Sequence, residues 1–205
     1  MKRLAAVAIG ETIALPAAAR ESSVSLEQAV ARRRSCRSFS KEPLALEQLA
    51  QLLWAAQGIT GGPGLRAAPS AGACYPLEVY VVGEHGMFKY RPQEHALTKT
   101  GEGDRRTQLA RAALGQSFIV AAPVTLVLAA VYQRTTGRYG ERGIRYVYMD
   151  VGCAAENVHL QAQALGLGSV AVGAFQDDAV AAALALPQEE QPLYLIPVGR
   201  RAGEA

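Results

Sequence analysis

The chain is short of the residues that build cross-linked or metal-clamped scaffolds. Its three cysteines, Cys36, Cys74 and Cys153, are odd in number and far apart. No Cys-x-x-Cys pair exists, which argues against a disulfide framework or a zinc site, leaves the metal class empty, and fits reduced thiols in a cytoplasmic protein. The histidines His85, His95 and His159 are scattered, and neither His-Glu-x-x-His nor Gly-x-Ser-x-Gly occurs, so the familiar metalloprotease and serine-hydrolase sets are missing. No Gly-x-Gly-x-x-Gly follows a strand and no phosphate-binding loop ending in Gly-Lys-Ser/Thr is present, which speaks against the common nucleotide folds. No apolar run approaches the roughly 20 residues needed to cross a bilayer. The net charge of +3 is too mild, and the arginines too little interleaved with aromatics, for a nucleic-acid-binding module.

What is present is 205 residues, half of them apolar, enough for one domain with a sizeable core. MKRLAAVAIGETIALPAAA has the layout of a secretory signal, but Glu11 interrupts its apolar run. Residues 1–22 are therefore expected to be an extended arm and residues 23–205 the domain proper. Ser25, with Gln28 three residues on, predicts a capped helix through SLEQAVARRR to about Ser35. Leu46, Leu49, Ala50, Leu53 and Trp54 recur at helical spacing up to Gly58. A Gly/Pro-rich loop, residues 60–76, precedes a strand at Leu77–Gly83 that pairs in a hairpin with EHGMFKYRP. A helix from about Asp104 to Leu114, a buried strand over 122–132, a polar loop QRTTGRYGERG and a long helix from Ile144 follow. SVAVGAF reads as a strand, QDDAVAAALAL as a helix and PLYLIPVGR as the last strand. The order predicts an α+β fold, with helices flanking a mixed, mainly antiparallel sheet.

Four clusters offer chemistry. RRRSCRSFS places Arg33 and Arg37 four apart with Arg34 and Ser35 between them, a set suited to a phosphate monoester. The same run reads equally as a solvated basic helix end favoured by the helix dipole. APSAGACYP lets a backbone approach a flat ligand, with Ser70 and amides near Gly72 as donors, or it is a plain surface loop. A glycine leaves the strand SVAVGAF just before a helix. Arg200 and Arg201 close the final strand as a second basic point or an exposed tail. Tyr139, beside Arg138, is a candidate proton donor or relay, with loop packing as the alternative.

Taken together, RRSCRSF, LLWAAQGIT, RAAPSAGACYPLEVYVV, RYGERGIRY, GLGSVAVGAF and PLYLIPVGRR follow one another in an order that resembles the nitroreductase-like flavoprotein superfamily. The SagB-type dehydrogenase branch, related to the azoline oxidases of thiazole- and oxazole-modified peptides, is especially similar. The resemblance covers roughly residues 11–202. It implies an intertwined homodimer with two FMN sites at its interface. It implies that Arg33, Arg34, Ser35 and Arg37 contact the FMN phosphate and ribityl oxygens, joined by Arg200 and Arg201. Pro69, Ser70, Ala71 and Gly72 would contact flavin, usually from the other subunit, and Ala171, Val172 and Gly173 would lie against its ring. The typical family members carry Asn and Gln where Ala73 and Tyr75 stand, and azoline oxidases carry a Lys-Tyr pair where Arg138-Tyr139 stand. The implied activity is an FMN-dependent oxidoreductase exchanging a hydride with a small-molecule or peptide substrate, with NAD(P)H as a reductant and a cyclodehydratase as a partner. The alternative is a protein of the same fold that binds or consumes flavin without an external substrate.

Overall fold

The computed structural model describes residues 2–203. In chain order the elements are α1 (Lys2–Ala5), β1 (Thr12–Ala14), α2 (Leu26–Arg32), α3 (Leu46–Gln57), β2 (Ile59–Gly61), β3 (Leu65–Arg66), β4 (Leu77–Gly83), β5 (Gly86–Arg91), β6 (Ala96–Gly101), α4 (Arg106–Ala112), α5 (Phe118–Ala121), β7 (Val124–Ala130), α6 (Gln133–Tyr139), α7 (Arg142–Ala164), β8 (Gly168–Ser169), α8 (Asp177–Leu184) and β9 (Gln191–Gly199). Seven strands form the main sheet in the order β1-β6-β5-β4-β7-β9-β8, and every pairing between them is antiparallel.

The sheet is covered on both faces, and side-chain alternation explains how. Leu77, Val79 and Val81 of β4, with Val124, Leu126 and Leu128 of β7, pack with Leu49 and Leu53 of α3 and Val147, Val151 and Val158 of α7. Tyr80 and Val82 of β4, with Val127 and Ala129 of β7, turn to the opposite face, against Leu109 of α4, Ile119 of α5 and Leu184 of α8. All seven residues of β7 are buried as a result, and each large aliphatic there contributes about 1.5–3 kcal/mol by leaving water.

The capping box at α2 forms as its sequence requires. Gln28 N donates to Ser25 Oγ at 3.2 Å, and Ser25 N donates to Gln28 Oε1 at 3.3 Å. The helix nevertheless stops at Arg32, short of Ser35. Beyond it the chain is drawn onto the sheet. Cys36 N donates to Ser169 O at 2.9 Å, and Ser35 bridges Ser169 in parallel. The spacing of Arg33 and Arg37 is therefore not a helical one.

Two further expectations change, and one unassigned stretch gains a strand. QRTTGRYGERG holds α6, because Gly143 at the start of α7 lets that helix close on the Thr136 backbone; a Cβ on Gly143 would lie 2.9 Å from Thr136 Cα. SVAVGAF is a strand only at Ser169. Val172 still exchanges both amide bonds with Leu195, but Val170 can only donate to Pro197 O, since proline has no amide to return. Residues 96–101, unassigned from sequence, form β6, and β1 from the N-terminal segment pairs with it at the sheet's edge.

Candidate active site

The chain that leaves α2 is threaded between β8 and the segment after β9. Ser40 N donates to Arg200 O at 2.9 Å, Ala202 N donates to Ser38 O at 3.1 Å, and Phe39 bridges Arg201. Backbone pairing thus makes neighbours of the two arginine-bearing segments. A glycine is required at the crossing: a Cβ on Gly168 would come within 2.6 Å of Cys36 Sγ.

Beside this crossing is a cleft of about 230 Å³ lined by Arg33, Ser35, Ala171, Tyr194 and four residues of α7, Gly152, Ala155, Glu156 and His159. The small pair Gly152 and Ala155 leaves its floor open. Arg33 Nε is 3.8 Å from Glu156 Oε1. His159 is buried, and its Nδ1 lies 2.8 Å from Ser169 Oγ. Burial holds the imidazole below its ordinary range, so at neutral pH it offers a hydrogen bond rather than a charge. Beyond Ala171, Val172 is buried and Gly173 exposed. A Cβ on Gly173 would stand 3.4 Å from the Tyr194 ring, so glycine keeps the backbone bare beside that aromatic.

The remaining basic candidates lie outside the lining of this cleft. Arg34 donates to Arg33 O at 2.7 Å and to Ala31 O at 3.3 Å, closing the C-terminus of α2. Arg37 is exposed, its guanidinium 5.9 Å from the Phe118 ring centroid. Arg200 Nε is 3.0 Å from Glu42 Oε2, and Arg201 donates to Gln163 Oε1 at 3.0 Å.

Pro69, Ser70, Ala71 and Gly72 form a separate turn, also outside that cleft. Ser70 Oγ donates to Asp150 Oδ2 at 2.5 Å and accepts from Tyr75 N at 2.9 Å. Arg138 donates to Gly72 O at 3.0 Å. Gly72 has φ 59°, and a Cβ there would fall on the Tyr139 hydroxyl. Tyr139 ends α6 rather than sitting in an open loop, with its ring edge-on to Tyr146.

A larger hollow of about 860 Å³ between residues 17–26, α3 and α7 contains none of these candidates. The smaller cleft is the better site on chemical grounds, because it gathers a cation, a hydroxyl, an imidazole and exposed backbone around one space. Glu156, His159, Gly152 and Ala155 were not singled out for it by sequence, although their i, i+3, i+4, i+7 spacing on a long helix marks one face. Tyr194 had no comparable signal. Among the described residues no cluster of His, Cys, Asp and Glu could hold a metal, and no helix is long and apolar enough to cross a membrane.

An antiparallel sheet with helices on both faces, carrying a small polar cleft beside its β8–β9 edge, defines an α+β protein. The Nitroreductase family model matches residues 30–200. A protein of Methanocaldococcus jannaschii assigned as a nitroreductase is 47% identical over 184 residues, covering 87% of this chain and 92% of its own. A Ralstonia eutropha crystal structure described as a nitroreductase superposes with a TM-score of 0.86 at 32% identity, covering 97% of this chain and 93% of that one. The NADPH:FMN oxidoreductase of Vibrio harveyi, in complex with NAD+, shares the fold at a TM-score of 0.66 and 22% identity, over 86% of this chain and 69% of that one. The chain belongs to the nitroreductase family.

Proposed function

We propose that the protein is an FMN-dependent oxidoreductase that works as a homodimer, with the flavin between a cleft on one protomer and the Pro69–Gly72 turn of its partner. The observation that carries this reading is the division of the candidates. Arg33, Ser35 and Ala171 line one cleft, the turn lies apart from it, and the cleft's 230 Å³ is less than the roughly 300–1,000 Å³ of a complete cofactor pocket. Half a site on each protomer calls for a second wall. Exposed Ile144, Tyr148 and Met149 on α7, with Leu26 and Val30 on α2, supply apolar surface for that contact.

The donor set fits the cofactor. Arg33 and the Ser35 hydroxyl suit phosphate oxygens, while the backbone from Ala171 to Gly173 and the open floor at Gly152 suit a flat ring. Bound FMN would supply two-electron hydride exchange with the substrate. Arg138 is held by Gly72 O, so proton relay falls to the Tyr139 hydroxyl. The substrate is a small molecule or a peptide, and NADH or NADPH is the reductant in the reductive direction. Ala73 and Tyr75, in place of the usual Asn and Gln, are what favours the SagB-type branch in this reading. Anaerobic mixing of the flavin-loaded protein with each nicotinamide tests the direction. Bleaching by either supports a reductase, and failure with both supports substrate dehydrogenation.

A further inference from the structure

Asp150 is a buried carboxylic acid in the middle of α7, 6% exposed. Burial holds its carboxyl above the usual carboxylate range, opposed only by hydrogen bonds from Ser70 and Ala71. A long helix keeps such a costly group only where its oxygens are used.

Both oxygens are used on one turn. Oδ2 accepts the Ser70 hydroxyl at 2.5 Å, and Oδ1 accepts the Ala71 amide at 3.4 Å. Ser70 Oγ in turn accepts Tyr75 N at 2.9 Å. The carboxylate therefore holds the start of residues 70–75 directly, and their end through Ser70 Oγ. Between them Gly72, Ala73 and Tyr75 stand at φ 59°, 52° and 46°. For Ala73 and Tyr75 this conformation is strained and persists only where the surroundings impose it. Ser70, with its proton given to Asp150 and a lone pair filled by Tyr75, is committed inward. The turn presents Pro69 and Gly72, both exposed, to whatever docks there.

We propose that Asp150 is the positioning residue of the Ser70–Tyr75 turn, holding it in the shape that meets the flavin while touching none of the reacting atoms. The functional half of this inference rests on the FMN reading above, and the tether itself does not. Preorganising a binding turn lowers the ordering cost of association.

The test compares the full-length chain with Asp150→Ala, Asp150→Asn and Ser70→Ala. Hydrogen exchange is followed in flavin-free protein, and FMN binding by flavin fluorescence and visible circular dichroism. Asn keeps an acceptor for Ala71 N and reverses the other bond, its amide donating to the second lone pair of Ser70 Oγ, so it is the conservative rescue. Asp150→Ala should speed exchange at residues 71–75 while α3 and β7 stay protected, weaken FMN binding at least tenfold, and alter the dichroism of the bound flavin. Asp150→Asn should recover most of the affinity. Unchanged exchange at the turn, or loss of protection spread evenly over the sheet, overturns the tether. A loosened turn with wild-type FMN affinity and dichroism overturns the positioning role. A wild-type chain that shows the tether but takes up no FMN contradicts the flavin reading instead.

Discussion

Arg33 Nε stands 3.8 Å from Glu156 Oε1 at the cleft, with both side chains partly open to solvent. A carboxylate at a phosphate grip is a competitor. Under the proposed FMN reading, Glu156 would hold the guanidinium when the cleft is empty and repel the phosphate on binding. An exposed pair of this kind is worth at most about 1 kcal/mol. Glu156→Gln should therefore tighten FMN binding by about two- to fivefold, with the gain shrinking as salt rises. Titration at two salt concentrations checks it, and weaker binding in the variant would remove Glu156 from this role.

The basic residues should separate by position. Arg33→Ala removes a charge-assisted contact in the cleft and should weaken FMN binding by about 1.5–3 kcal/mol. Arg34→Ala should change affinity little, since its guanidinium is spent on the carbonyls of Arg33 and Ala31, and should show instead as a small loss of stability. Equal losses of FMN affinity in both variants would mean that Arg34 turns into the site on binding.

Gly72→Ala meets two obstacles, a positive φ and a clash with Tyr139 and Arg138, whose Nη1 would be 2.9 Å from the new Cβ. The expected cost is about 1–3 kcal/mol by urea denaturation. Tyr139→Phe removes the obstructing hydroxyl, so the double variant should lose less than the sum of the singles. Strict additivity would show that Tyr139 does not press on the turn.

The pH dependence of stability should carry the mark of His159. Its folded pKa is depressed by burial, so the unfolded chain binds a proton at higher pH than the folded one. Its contribution is full above about pH 6.5, the ordinary imidazole value, and is lost as pH falls through the depressed folded value. Thermal melts across that window should show a shallower acid slope in His159→Gln than in the wild type. Identical slopes would place the acid sensitivity elsewhere.

Much of the frame was legible because it is periodic. The apolar spacing of α3 and the apolar run of β4 ahead of its hairpin turn fix their elements locally. α6 was not legible, since Thr135, Thr136 and Gly137 are poor helix formers and the helix depends on α7 closing against it. The arginine run was legible as a cluster of charge, but its backbone path was not. Ser35 and Cys36 leave the helix because β8, far along the chain, offers them hydrogen bonds, and no local pattern reports that. Asp150 left only a faint trace, an acid beside the apolar Val147, Val151 and Ala154 of α7. The partner of Ser70 could be read only from the fold.

The most direct test of the account is the visible spectrum of the purified protein after FMN is added and the excess removed. A yellow protein is expected that retains about one FMN per chain in the dimer, releases it intact on denaturation, and loses it in Arg33→Ala. A colourless chain that cannot be saturated with FMN would contradict it.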